Sequence, residues 1–357
     1  MKTLKLVLLV ACVAVAASIP TGAQAPVSAL NFDAVNPLTL PDDIYLGEVG
    51  GVATSSRGDI YVYTRTGHPT VSMATARPFA HGGSRLFQFD RNGRFTREIG
   101  AGLYGFLFAA QVRVDPQDNV WVVDEMSAMI MKFDPQGRVA LLLGRKAEAL
   151  NNPPRAGGAG PAGEGGGRGG GRAPGAGAPQ DVFNRPTDVA WDAQGNIFVA
   201  DGLGNARIAK FTKDGAFVKS WGQRGTANGE FASVNSIAVD AQGNVYAADA
   251  GNQRIQVFDN NGTFTREIKG VGNAQAICIT PGASQMLFVS NSNPPTDIDT
   301  AGEIYKMRLD GTMIGKFGKA GKLPKEFGTV NAIDCRSEST LFVGEIGNFR
   351  VQKVTLK

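Results

Sequence analysis

The sequence predicts an all-β chain folded as a six-bladed β-propeller. Two observations carry this. The stretch Phe183–Gly222 is followed by a near copy, Phe231–Gly270, and each holds four short apolar runs in about forty residues. That is the period and strand count of one propeller blade. The runs are rich in Val, Ile and Phe and are separated by D-A-Q-G-N and D-N-N-G turns. Asn, Asp and Gly there supply the positive φ that tight hairpins need.

The blades follow in order. Blade 1 runs from about Leu46 to Gly100 and carries a long insertion, Arg65 to Ser84, before its third strand. Blade 2 is about Phe108 to Gly144, and the two copies are blades 3 and 4. Blade 5, about Val271 to Gly318, contains a polar insertion from Asn291 to Thr300. Blade 6 begins near Phe327 and reaches Lys357 one strand short. The unpartnered segment Leu30–Val35 is expected to supply that outer strand. Joining both ends of the chain in one blade closes the ring and leaves no open seam. An acid and an arginine recur as Asp201 with Arg207, Asp249 with Arg254 and Glu345 with Arg350. A device repeated from blade to blade is structural, and these are expected to be ion pairs pinning neighbouring strands.

Residues 1–25 read as a secretory signal, with Lys2 and Lys5 before the apolar run Leu6–Ala17. Cleavage after Ala25, leaving 26–357, or alternatively after Ala23, would give an exported, periplasmic or extracellular propeller without a transmembrane segment. Leu9-Val10-Ala11-Cys12 resembles a lipidation box, but the apolar run continues past Cys12, which argues against it. Residues 151–181 are almost wholly Gly, Pro, Ala and Arg, and are expected to form a disordered loop between blades 2 and 3. They lack the G-K-[ST] of a phosphate loop. A formal charge of +4 gives no nucleic-acid footprint. Cys278 and Cys335 lie on equivalent strands but offset by one position. Strand side chains alternate faces, so two buried free thiols are expected rather than a disulfide.

The form D-x-x-G-N-[IV]-[FY]-V-A-D…N-x-R-I resembles the NHL repeat. L-G-E-V-G-G-V-A at Leu46, L-L-L-G-R at Leu141, R-P-T-D-V-A at Arg185, V-A-D-G-L-G-N-A-R-I at Val199 and R-I-Q-V-F at Arg254 occur in order. Together they resemble the peptidyl-α-hydroxyglycine α-amidating lyases, secreted six-bladed enzymes. The resemblance implies a channel zinc held by three histidines, one at the start of the inner strand of alternate blades. Those positions are Ala110, Asn235 and Asn331 here. The family's tyrosine falls on Leu203, one arginine on Ala250 and an aspartate on Ala332, while Arg65 survives. Alanine offers no donor and a carboxamide is a weak, hard one, so zinc is not expected. Without metal or tyrosine, the family's Lewis acid and base are both missing. The two histidines, His68 and His81, both sit in the blade 1 insertion.

Aligned inner strands place Gly50, Ala110, Thr187, Asn235, Gln275 and Asn331 in a polar, uncharged ring at the channel mouth, with Glu48, Arg65 and Asp188 close by. The candidate ligand-binding residues are Glu48, Arg65, Thr187, Asp188, Asn235, Gln275 and Asn331. Arg65 is the one catalytic candidate. The expected function is non-zinc binding of a small polar ligand, a peptide or a protein at the mouth, with no cofactor. Two alternatives stand beside it. One is residual carbon–nitrogen lyase chemistry of the amidating type. The other is a calcium-dependent lactonase or esterase, using Glu48, Asn235, Asn331 and Gln275 as oxygen ligands. No G-x-S-x-G, H-E-x-x-H or C-x-x-C motif occurs.

Overall fold

The structure, a computed structural model, describes residues 27–66, 70–73, 77–80, 83–144, 182–294 and 297–357. The proposed signal, the Gly-rich loop, His68 and His81 lie outside them. Strand β1 (Phe32–Val35) comes first in the chain and last in the ring. Blade 1 is β2 (Glu48–Thr54), β3 (Ile60–Arg65), β6 (Ser84–Phe89) and β7 (Phe95–Ile99), with the hairpin β4 (Thr70–Met73) and β5 (Arg77–Ala80) between its second and third strands. Blade 2 is β8 (Ala109–Val114), β9 (Val120–Asp124), β10 (Met129–Phe133) and β11 (Val139–Leu143). Blade 3 is β12 (Asp188–Trp191), β13 (Ile197–Asp201), β14 (Arg207–Phe211) and β15 (Phe217–Trp221). Blade 4 is β16 (Val234–Val239), β17 (Val245–Asp249), β18 (Arg254–Phe258) and β19 (Phe264–Ile268). Blade 5 is β20 (Ile277–Ile279), β21 (Met286–Asn291), β22 (Glu303–Arg308) and β23 (Met313–Phe317). Blade 6 is β24 (Val330–Asp334), β25 (Thr340–Glu345) and β26 (Arg350–Leu356), completed by β1.

The ring closes as the sequence predicts. β1 pairs antiparallel with β26, Phe32 opposite Leu356 and Val35 opposite Lys353. This covers the edge that β26 would otherwise expose. Every blade is an up-and-down meander, so its connections sort to two ends. The upper end carries the starts of the inner strands and the turns between second and third strands. The lower end carries the turns between first and second strands.

The core is divided into wedges between neighbouring blades. Tyr63 and Leu86 of blade 1 meet Phe106 and Val112 of blade 2, and Phe198 and Ile208 of blade 3 meet Phe231 and Ile237 of blade 4. Val52 and Phe87 of blade 1 meet Ala332 and Val351 of blade 6, so the closing seam is packed like the others. The recurring acid–arginine pairs hold second strands to third strands: Asp201 with Arg207 at 2.8 Å, Asp249 with Arg254 at 3.0 Å and Glu345 with Arg350 at 2.8 Å. Each pair is buried or nearly so, and each acid also accepts from backbone N–H groups of the loop above it, as Gly328 N–H does on Glu345.

One expectation fails. Cys278 and Cys335 form a disulfide between blades 5 and 6. The alternation rule was applied as if both residues belonged to one sheet. Neighbouring blades face one another through opposite faces, so an offset of one position turns the two thiols toward each other. Both residues belong to the same apolar wedge between those blades. Cross-linking residues 57 apart in sequence is worth about 4 kcal/mol in the loop-entropy model. The double variant Cys278→Ser/Cys335→Ser should therefore unfold at lower urea than the oxidised protein and match the reduced one. Equal stability of the oxidised and double-variant proteins would contradict the cross-link.

Candidate functional site

The ring residues owe their position to a repeated irregularity. Pairing of the inner strand with the second strand slips at Gly50, Ala110, Asn235 and Asn331, where one extra residue is inserted into the inner strand. Such bulges re-aim a side chain away from the sheet. A bulge thus occurs at all three positions that match the family's histidines.

What replaces the donors is a closed hydrogen-bond network. Asn331 Nδ2 donates to the carbonyls of Gly50 at 2.6 Å and Ala110 at 3.1 Å, tying blade 6 to blades 1 and 2. A Cβ on Gly50 would lie 2.4 Å from the Ala109 carbonyl oxygen, so this approach needs glycine. Asn235 Nδ2 donates to Gln275 Oε1 at 2.6 Å, its Oδ1 accepts from Ser233, and Gln275 Nε2 donates to Asn273 Oδ1 at 2.7 Å. Thr187 is buried, with its hydroxyl 2.7 Å from the Val234 carbonyl.

One residue deeper lies a feature that sequence reasoning missed. Arg113, on β8, donates to both oxygens of Asp188 at 2.9 and 2.6 Å. It also donates to Ser236 Oγ at 3.3 Å and to the carbonyls of Ile277 at 3.3 Å and Ile333 at 3.1 Å. One guanidinium thus joins blade 2 to blades 3, 4, 5 and 6. Asp188 is fully buried and accepts further from Ser236 Oγ and the Ile237 N–H, so it lies beneath the mouth and offers the surface nothing. Burial works against the charge on Arg113, but Asp188 outweighs it and holds the guanidinium pKa above its usual value. The sequence signal was an arginine between valines in one inner strand and an aspartate opening the next.

Glu48 and Arg65 stand apart from this network, at the upper end of blade 1. Arg65 Nη1 lies 2.9 Å from Glu48 Oε2, its Nε donates to the Ala109 carbonyl at 2.8 Å, and its guanidinium lies 3.6 Å over the Phe108 ring. They line a cavity of about 620 Å³ with Asp43, Tyr45, Phe108 and Phe349. The structure therefore brings Asn235 and Gln275 together, pairs Glu48 with Arg65, and sets Thr187, Asp188 and Asn331 into interblade contacts.

The chain is similar to known proteins in the way this geometry suggests. A family model described as a 6-bladed beta-propeller matches residues 183–292. Peptidylglycine alpha-amidating monooxygenase of Rattus norvegicus is 26% identical over 337 residues, 88% of this chain and 31% of that protein. Peptidyl-alpha-hydroxyglycine alpha-amidating lyase 1 of Drosophila melanogaster is 29% identical over 67% of this chain and 43% of its own length. NHL repeat-containing protein 3 of Homo sapiens is 29% identical over 48% of this chain and 50% of its own. The chain is a six-bladed β-propeller that resembles the amidating lyases and NHL-repeat proteins. It spans about a third of the rat protein. Among solved structures, a streptogramin B lyase aligns with a TM-score of 0.53 at 14% identity, over 92% of this chain and 98% of that one. A gluconolactonase of Xanthomonas campestris aligns at 0.54 and 14%, over 88% and 87%. Both likenesses concern the fold alone.

The zinc of the amidating lyases does not fit this donor set. Ala110 has no donor atom, Asn331 could offer only a carboxamide oxygen, a weak zinc ligand, and Asn235 Oδ1 already accepts a hydroxyl hydrogen bond. Of the oxygen groups that calcium could use, the one carboxylate, Glu48, is paired with Arg65 and stands apart from Asn235, Gln275 and Asn331.

Two outcomes follow. Arg113→Met leaves Asp188 buried without its cation and should cost about 3–5 kcal/mol in urea unfolding. Arg113→Met/Asp188→Val should recover most of that. A loss below about 1 kcal/mol for the single variant would mean the channel pair holds nothing together. The second outcome concerns pH. Asp334 accepts from Thr54 Oγ1 at 2.5 Å across the closing seam. Burial raises its pKa above 3.8, and Arg336, Thr54 and Arg113 offset this only in part. The folded state thus holds this proton more tightly than the unfolded chain. Stability from this group is present at low pH and is lost as pH rises from about 4 through the folded pKa. Asp334→Asn should remove that fall. Parallel pH–stability curves for the two proteins would contradict it.

Proposed function

We propose that this propeller is exported and binds a small polar ligand, a peptide or a protein at its upper end, without zinc. One observation carries the reading. Tyr45, Tyr104, Met126, Ile298, Leu323 and Phe349 are large apolar side chains exposed to solvent, and all six sit on upper-end loops. The other exposed large hydrophobics, Val27, Val35, Val139, Leu142 and Val218, lie on the outer strands and the N-terminal segment, so among the described residues none sits on a lower-end turn. An apolar collar on one face, around a cavity with a few polar groups, is the form of a recognition surface. Tyr45 and Phe349 belong both to the collar and to the cavity that holds Arg65 and Glu48.

Arg65 is the polar anchor in this reading. A ligand carboxylate would replace Glu48 on the guanidinium and keep its geometry. The residues proposed at the mouth, Asn235 and Gln275, keep lone pairs and N–H groups beyond their mutual bond and can read amide or hydroxyl groups. Export is supported by the leader-like N-terminus and by the disulfide, which persists in oxidising compartments. Among the described residues no helix is long and apolar enough to cross a membrane.

A second reading, residual amidating-lyase chemistry, rests on Arg65, which matches a catalytic arginine of those enzymes. Two assays separate the readings. Titration with short peptides ending in a free carboxylate should give saturable binding. Arg65→Ala, Tyr45→Ala and Phe349→Ala should each weaken it by tenfold or more, about 1.4 kcal/mol, without changing the circular dichroism. Gln242→Ala, at the lower end, should leave it intact. Peptides ending in α-hydroxyglycine should release no glyoxylate. Binding indifferent to all three upper-end variants would remove this surface from the account, and steady glyoxylate release would establish the enzyme.

A further inference from the structure

The repeat allows six equivalent places to be compared, and one of them breaks the pattern. The second strand of every blade carries an aromatic residue at the equivalent place near its start: Tyr61, Trp121, Phe198, Tyr246, Phe288 and Phe342. In most blades a cation lies over it, as Lys132 does over Trp121 at 5.1 Å, Lys210 over Phe198 at 5.3 Å and Lys353 over Phe342 at 5.9 Å. This part is structural. The residue just before the lower turn of the inner strand is Thr54, Val114, Val239, Ile279 or Cys335 in five blades, and Trp191 in blade 3.

Trp191 opens a cleft between blades 2 and 3 at the lower end, away from the apolar collar. The cleft has a volume of about 490 Å³, within the range of small-molecule sites. Its back is rigid. Trp121 is buried, and its indole N–H is tied to Asp115 Oδ2 at 2.9 Å. Its ring backs Trp191 with centroids 5.3 Å apart. Trp191 is half-buried, so part of its ring faces the cleft. Its indole N–H has no hydrogen-bond partner among the described residues, and packing alone sets the ring's angle.

The charged groups of the cleft already have partners, the two lysines in ion pairs and Asp192 in hydrogen bonds. Asp192 accepts from the N–H groups of Gln194 at 3.0 Å and Asn196 at 2.8 Å, and from the side chains of Asn196 and Asn260. Lys132 lies 3.5 Å from Asp115, and Lys213 lies 2.8 Å from Asp214. Asp192 is satisfied by amide groups alone, so the cleft has no spare cation and an anionic ligand would find no counter-charge. A plain aromatic ring would cover Trp191 but leave the exposed carboxamides of Gln117 and Gln194 without partners. The group that matches both features is a sugar ring, with an apolar C–H face and a rim of hydroxyls that both donate and accept.

We propose that the Trp191 cleft binds a neutral carbohydrate, the sugar face stacked on Trp191 and its hydroxyls meeting the two carboxamides. This is independent of the upper-end site. The test uses the full mature chain and a set of neutral oligosaccharides, maltohexaose, cellohexaose and chitohexaose, followed by tryptophan fluorescence and calorimetry. At least one should bind saturably at millimolar concentration. Trp191→Val restores the residue that blade 4 uses at the same place, so it should keep the melting temperature while weakening binding at least tenfold. Gln117→Ala/Gln194→Ala should weaken it as well, and Arg65→Ala should not. The proposal is overturned if none of the three binds, if Trp191→Val binds as well as the native protein, or if an oligoglucuronate or an indole binds in preference to all of them.

Discussion

The centre of the ring depends on one largely buried cation. Six sheets arranged radially leave a channel where their inner strands meet, and something must hold that centre together. Here it is the guanidinium of Arg113, hydrogen-bonded to groups of blades 3, 4, 5 and 6 and charge-balanced by Asp188. Above it, Asn331 ties blade 6 to blades 1 and 2. Five donors in a fixed planar fork suit this task better than any other side chain. A hydrogen-bonded protein cation thus joins blades at the centre of the ring, where the amidating lyases use a metal. The bulges at the mouth serve the network that caps the pair.

This arrangement moves the chemistry outward. The mouth residues are largely engaged in one another, and at the rim of blade 1 Arg65 and Glu48 share a cavity with Tyr45 and Phe349. The collar of exposed apolar side chains surrounds the same end.

Much of the fold was legible because the chain repeats. Six blades, closure by Leu30–Val35 and the structural acid–arginine pairs each follow from aligning one blade on another. The repeat also identifies Trp191, since a departure is visible only against a pattern. The disulfide was not legible, because it depends on which faces of two separate sheets oppose each other, and alternation within one strand says nothing of that. Asp188 was expected beside the mouth and lies below it. Its partner Arg113 sits mid-strand between valines, where an arginine gains meaning only once the channel is known to run past it. The hairpin within the blade 1 insertion, Thr70–Met73 with Arg77–Ala80, has no counterpart in the repeat to predict it.

The measurement that bears most directly on this account is the metal content of the purified protein, taken together with its melting temperature before and after chelation. The account predicts no stoichiometric zinc or calcium and a melting temperature that chelation does not move, because Arg113 and Asp188 hold the centre. One bound zinc per chain, with a lower melting temperature once it is stripped, would contradict it.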